Sequence, residues 1–235
     1  MTAEEFDDTF ETYMLVVAHP DDSEFGAGGT VARLTRAGKR VVVIQVTSGN
    51  KGSPDPDADP SVVAATREAE LTEATRRLGV SDLIFLRCMD GELVPDLALR
   101  EQLVRTIRIH QPDVIVTHDP FRPYALHSDH RAVGLATTDA VYPTARDPLY
   151  FPEHYQAGLK SHKTAEIWYF GADTPDRFID ITSTFNQKIE ALKAHVSQIG
   201  EAEGLADRMR ERAAELAADQ SFELAEAFKV VQMRR

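Results

Sequence analysis

The feature that most constrains this chain is an alternation of short, β-branched apolar runs with helical stretches. Runs that are apolar at every position suit strands of a parallel sheet covered on both faces. The first is Tyr13-Met14-Leu15-Val16-Val17-Ala18, followed by a loop from His19 to Gly29 and a short helix, Thr30–Ala37, stopped by Gly38. Arg40–Thr47, reading RVVVIQVT, is the clearest strand and completes a βαβ unit. A loop rich in Gly, Pro and Asp (Ser48–Pro60) leads into a charged amphipathic helix, Ser61–Leu78, and a strand around Asp82–Leu86. A helix from about Asp96 to His110 and the strand Asp113–Thr117, introduced by Pro112, extend the series. The pattern predicts an α/β, Rossmann-like three-layer fold with a mostly parallel sheet.

Beyond Thr117 the alternation loosens. A His- and Pro-rich loop precedes a helix over Asp129–Ala140, and a long irregular stretch, 141–164, holds Tyr142, Tyr150, Phe151 and Tyr155. Such a stretch reads as a substrate lid or an interface. Strands are expected at Glu166–Phe170 and Phe178–Ile181, then a helical C-terminal part, 183–235, broken near Gly200 and Gly204. With no repeat, low-complexity tract or linker in view, the expectation is one domain over 1–235.

Charge narrows the partners. Thirty-eight acidic against 26 basic residues give a formal charge of -12, which disfavours nucleic acid and anionic membrane surfaces and leaves a small, locally recognised substrate. The single cysteine, Cys88, cannot form an internal disulfide, so any metal must sit on His and carboxylate groups. The first eight residues, Met1–Asp8, are acidic where a signal peptide would be basic, and no run of about 18 apolar residues occurs, so a cytoplasmic location is expected.

Open parallel sheets bind ligands outside the carboxyl ends of their strands. His19-Pro20-Asp21-Asp22-Ser23-Glu24 follows the first strand; His118-Asp119-Pro120 follows the fourth, with His127-Ser128-Asp129-His130 a little further on. Each residue alone has a bland reading: Ser128 or Asp129 as a helix N-cap, a lone His as surface or satisfied core. Concentrating this much polarity at two strand ends, however, has no packing rationale. His19 and Asp22, three apart, can turn around one point, and His130 completes a His/Asp/His set with room for a water, as in catalytic zinc sites. Asp21 is then free to act as general base, and His127 lies close enough to act on substrate. The same ligand set suits Fe²⁺ in non-haem oxygenases, or another divalent cation. A dinucleotide site is disfavoured, because Gly26-Ala27-Gly28-Gly29 breaks the G-x-G-x-x-G spacing and the adjoining acids would repel a pyrophosphate; the glycines fit close packing of the helix, or close approach of backbone to a metal.

Ala18-His19-Pro20-Asp21-Asp22 with Gly28-Gly29-Thr30, together with His127-Ser128-Asp129-His130, resembles the two signatures of the PIG-L/LmbE-like family of zinc-dependent N-acetylglucosaminyl deacetylases. Supporting similarity runs through Thr47-Ser48-Gly49, Arg67-Glu68-Ala69-Glu70, Asp90-Gly91-Glu92-Leu93, and Asp180-Ile181-Thr182 to His195-Val196-Ser197-Gln198. The resemblance implies a zinc hydrolase that removes acetate from an N-acetylglucosamine-type sugar or glycoconjugate. By the same resemblance His19, Asp22 and His130 are the Zn²⁺ ligands and Asp21 the general base. His127 is an imidazolium stabilising the oxyanion or protonating the amine, with Asp129 orienting it, and Arg67 and Asp90 contact substrate. For Arg67 the residues alone equally allow a helical pair with Glu70. Family members often assemble, so the resemblance implies a homo-oligomer, and Tyr142–Tyr155 could supply either an interface or a pocket wall. The chain departs from the family at Ser128, often proline, and at Ala125-Leu126, where the family has tyrosine or glycine; Tyr124 is the candidate to replace that tyrosine.

Overall fold

The computed structural model of the protein describes residues 9–200 and 203–233; the acidic Met1–Asp8 segment lies outside them. Five strands run parallel: β1 (Thr12–Val17), β2 (Arg40–Thr47), β3 (Asp82–Cys88), β4 (Val114–His118) and β5 (Glu166–Phe170). Two more, β6 (Arg177–Asp180) and β7 (Ala225–Gln232), complete a seven-stranded sheet in the order β3-β2-β1-β4-β5-β7-β6, with β7 antiparallel to both its neighbours. The strands alternate two apolar sets. Tyr13, Leu15, Val43, Val116 and Trp168 face one core with α1 (Asp22–Arg36), α2 (Pro60–Leu78) and α6 (Phe185–Leu192). Met14, Val16, Ile44, Ile115 and Ile167 face a second core with α3 (Leu97–His110) and α4 (Ser128–Asp139). Both faces are thus buried, as the continuous apolar runs require.

Local signals set several boundaries. The carboxylate of Asp59 accepts from the Ser61 amide at the start of α2, and that of Asp96 from the Leu99 amide at the start of α3. The chain order reverses between β1 and β4, so the loops leaving their carboxyl ends diverge and open a crevice there.

Three expectations are corrected. The segment read as a loop to Gly29 is helix from Asp22 onward, and its glycines lie inside α1. They are there for packing: a Cβ on Gly29 would lie 2.7 Å from Ile181, and one on Gly26 would lie 2.6 Å from the Phe170 ring. Gly29→Ala should therefore cost about 1–3 kcal/mol of stability despite alanine's better helix propensity. Urea denaturation checks this, and a stability equal to or above the parent's would refute the packing argument.

The second correction is β7. The C-terminal part read as helical does contain α6, α7 (Val196–Ile199) and α8 (Leu205–Leu216), but Ala225–Gln232 returns as a strand between β5 and β6. The third concerns the stretch 141–164, which holds an irregular helical turn over Ala140–Ala145 and α5 (Pro152–Gln156). Arg108 on α3, fully buried, donates to the carbonyls of Thr144, Ala145, Asp147, Tyr150 and Phe151 and so ties the stretch down. That tether works against the lid reading. Among the described residues no helix is long and apolar enough to cross a membrane.

Candidate metal centre and active site

β1 delivers His19 and β4 delivers His118 to the same end of the sheet, and α4 brings His127, Asp129 and His130 over them. The tight turn expected after β1 forms: the Asp22 amide donates to the His19 carbonyl at 3.2 Å, and the His19 amide to Asp22 Oδ2 at 2.7 Å. His19 Nδ1 then stands 3.2 Å from His130 Nε2 and 3.5 Å from Asp22 Oδ2, while His130 Nε2 is 3.3 Å from Asp22 Oδ1. Bonds of about 2.0–2.2 Å meeting at the tetrahedral angle hold donor atoms roughly 3.3–3.6 Å apart. The three groups singled out in the sequence are therefore brought together at spacings close to those a divalent cation requires, with one Asp22 oxygen toward each imidazole, and Asp22 and His130 line an adjoining cavity.

The surroundings orient this cluster. His19 Nε2 lies 3.1 Å from Asp90 Oδ1 and 3.3 Å from Asp129 Oδ2, so the ring proton belongs on Nε2 and Nδ1 is left free to ligate. Asp90 was expected at the substrate and Asp129 beside His127; the structure places both carboxylates against His19 Nε2. Asp129, completely buried, also accepts from the Gly91 amide at 2.7 Å, and Asp90 Oδ2 from the Lys51 amide at 3.1 Å. Burial works against charging His19, but its hydrogen bonds to Asp22 and Asp90, with the charges of both, raise its pKa to about 10. Burial likewise opposes ionisation of Asp22; the charge and hydrogen bond of His118, with the bonds of His130 and His19, still hold it well below the usual carboxylate range.

His118 was noted in the sequence without a role. Buried at the end of β4, it places Nε2 3.2 Å from Asp22 Oδ2 and stacks on His130 at 4.1 Å between ring centroids. Its position, ending β4 much as His19 follows β1, was the available signal.

Asp21 occupies the N-cap of α1 with φ 111 and ψ -23, a left-handed backbone that a non-glycine residue adopts at a cost of about 1–3 kcal/mol. Burial and the neighbouring Asp22 raise its pKa to about 7, against the pull of Arg67, whose guanidinium lies 3.5 Å away. Arg67 is buried and donates to the carbonyls of Pro20 at 2.7 Å and Gly49 at 3.3 Å, fastening the Asp21 turn to the loop after β2. Glu70, its candidate helical partner, turns to Ser197 instead. A fully buried pair also lies near Asp21: His195 Nε2 is 3.4 Å from Glu24 Oε2, and the proximity of His195 favours the Asp21 carboxylate.

His127 caps α4, its Nδ1 accepting from the Asp129 amide at 3.3 Å, so its hydrogen belongs on Nε2. The ring is exposed and stacks on His130 at 4.5 Å. Partial desolvation and the charges of His19 and His130 lower its pKa, which favours the neutral ring. Tyr124, the candidate replacement for the family tyrosine, is 89% exposed with φ 62.

The chain is similar in sequence and fold to known proteins. The family model described as PIG-L: GlcNAc-PI de-N-acetylase matches residues 14–141, which hold both clusters. A diacetylchitobiose deacetylase of Thermococcus kodakarensis is 31% identical over 188 residues, covering 80% of this chain and 70% of the relative. A 1D-myo-inositol 2-acetamido-2-deoxy-alpha-D-glucopyranoside deacetylase of Rhodococcus erythropolis is 31% identical over 237 residues, covering 79% of this chain and 80% of the relative. The structure of the N,N'-diacetylchitobiose deacetylase from Pyrococcus horikoshii, complexed with its inhibitor, superposes with a TM-score of 0.90 at 27% identity, over 95% of this chain and 85% of that one. With sequence and fold agreeing over most of its length, the chain belongs to the PIG-L family of GlcNAc-PI de-N-acetylases.

Proposed function

We propose that the protein is a metal-dependent N-deacetylase that releases acetate from an N-acetylglucosamine-type sugar or glycoconjugate, with zinc as the metal. The observation that carries this reading is the His19–Asp22–His130 cluster, whose imidazole and carboxylate donors approach one another at 3.2–3.5 Å, one Asp22 oxygen toward each imidazole, set beside a spare carboxylate. Bound there, the cation would supply Lewis acidity, acidifying water and polarising the acetamide carbonyl.

The protein's own groups do the rest. Asp21, fixed by Arg67 and with its pKa lifted toward neutrality, takes a proton from water as the water oxygen bonds to the acetamide carbon. The C–N bond breaks as that proton is passed to nitrogen, leaving acetate and a free amine. His127 presents its Nε2–H to the oxygen on which negative charge develops, while its Nδ1 is held by the α4 cap. Asp129 and Asp90 keep His19 in the ligating tautomer.

His127→Ala should lower kcat by about 10²–10³, the usual cost of one oxyanion donor, with metal content unchanged. Wild-type turnover in this variant would remove His127 from the mechanism. The reading as a whole is tested by acetate release from N-acetylated sugars before and after chelator treatment, with zinc and ferrous iron added back separately. Zinc-restored hydrolysis without oxygen is the expected result; activity that survives full metal removal, or that needs oxygen, overturns it.

A further inference from the structure

We propose that the segment His195–Ser197 is a brace that positions the Asp21–Arg67 pair, gripping α1 through Glu24 and α2 through Glu70. The proposal rests on the N-deacetylase reading and adds to it residues that act through Asp21 rather than on the substrate. The members of the pair belong to different helices. Asp21 caps α1 and Arg67 lies in α2, their charged groups 3.5 Å apart. Three residues further along each helix, and so one turn on, stands a glutamate: Glu24 after Asp21, Glu70 after Arg67. Both meet the same short segment. The Ser197 amide and hydroxyl each donate to Glu70 at 2.7 Å, and His195 Nε2 stands 3.4 Å from Glu24 Oε2. Gln198, next in the chain, donates to the Gly52 carbonyl at 3.0 Å, in the same loop whose Gly49 carbonyl accepts from Arg67. The spacing of α1 and α2 at this end is thus set twice, once by the charge pair and once by the brace.

Stability alone gives no reason for this arrangement. Glu24 and His195 are fully buried, and among the described residues both imidazole nitrogens and Glu24 Oε1 lack a hydrogen-bond partner. An apolar pair of similar volume is often neutral or stabilising in the place of such buried charges. A demand for position explains them better, because a misplacement of about 1 Å at a reacting group can cost about 10²-fold in rate. Arg67 needs the same precision. It is buried against the turn that carries Asp21, and a Cβ on either Gly49 or Gly52 would collide with its guanidinium, so the loop closes on it with no room for a side chain. Glu70 holds the next turn of α2 and Gln198 holds that loop, so both sides of the guanidinium are tied to one segment.

The test measures kcat and KM for acetate release from N,N'-diacetylchitobiose by the metal-loaded full chain and its variants. Glu70→Ala, a change outside the core, should lower kcat about tenfold and leave KM within about twofold. Glu70→Gln, which keeps an acceptor for Ser197, should return kcat to within about threefold of the parent's. Glu24→Gln should repeat the loss of kcat; if it does not fold, the two Glu70 variants decide. The brace is separated from a general support of the fold by combining Glu70→Ala with Asp21→Asn. Once Asp21 no longer takes the proton, Glu70→Ala should cost less than about twofold further. Equal losses with and without Asp21, a loss carried by KM, or a parental kcat in Glu70→Ala would overturn the brace. Should the parent release no acetate, the deacetylase reading fails by itself, and hydrogen exchange decides the brace separately. Faster exchange over residues 18–25 in Glu70→Ala, with β4 and α8 unchanged, supports it; faster exchange confined to residues 66–72 and 195–199 overturns it.

Discussion

Asp21→Asn should keep its metal and lose about 10²–10⁴ of kcat. Asparagine has nearly the same shape and tolerates the left-handed backbone that position 21 imposes, so the turn and helix α1 should form as before. What disappears is proton acceptance: an amide cannot take up the proton that the carboxylate of Asp21 accepts, and general-base contributions fall in this range. Stoichiometric metal by plasma mass spectrometry, with thermal melting near the parent's, separates this from a folding defect. Loss of metal in Asp21→Asn would make Asp21 a ligand and require another base; retained turnover would remove it from the reaction.

The second large effect is expected on the ligand cluster itself. His130→Ala and Asp22→Ala should each abolish stable metal binding and reduce turnover by on the order of 10³ or more, because Lewis-acid stabilisation is worth several kcal/mol and each 1.36 kcal/mol is tenfold in rate. The two differ in their effect on the fold. His130 is partly exposed on α4 and its loss leaves a solvated gap, whereas Asp22 is the counter-charge shared by His19, His118 and His130. Removing Asp22 leaves three close imidazoles without it, so Asp22→Ala should also lower thermal stability, and His130→Ala much less. Metal content after dialysis against excess cation, read beside melting curves, checks both parts. If either variant retained tight, stoichiometric metal, the cation would have to sit elsewhere: His19, His127 and His130 stay together without Asp22, and His19, Asp90 and Asp129 without either residue.

These expectations rest on residues that the sequence makes conspicuous to different degrees. His19, Asp21, Asp22 and His130 stand out because short apolar runs such as Leu15–Val17 and Val114–Val116 mark the strands whose ends they follow. Helix α1 was less legible. Three glycines near its start read as loop by propensity, yet Gly29 and Gly26 are demanded by Ile181 and Phe170, residues more than 140 positions away. Strand β7 was hidden for the opposite reason. Ala225-Glu226-Ala227 favours helix locally, but the open edges of β5 and β6 leave a slot that only a strand can fill, and pairing on both sides overrides propensity.

By itself the sequence determined the alternation of strands and helices, the sheet with two buried faces, and the concentration of imidazoles and carboxylates at two strand ends. It does so because apolar periodicity and chain order are local properties that survive without coordinates. Only the tertiary structure decided which carboxylate supports which imidazole: Asp129 and Asp90 turn to His19, His118 to Asp22, and Arg67 to the turn carrying Asp21. Those pairings depend on side-chain direction and on distances of about 3 Å between residues up to 110 positions apart, fixed by the packing of whole elements against one another.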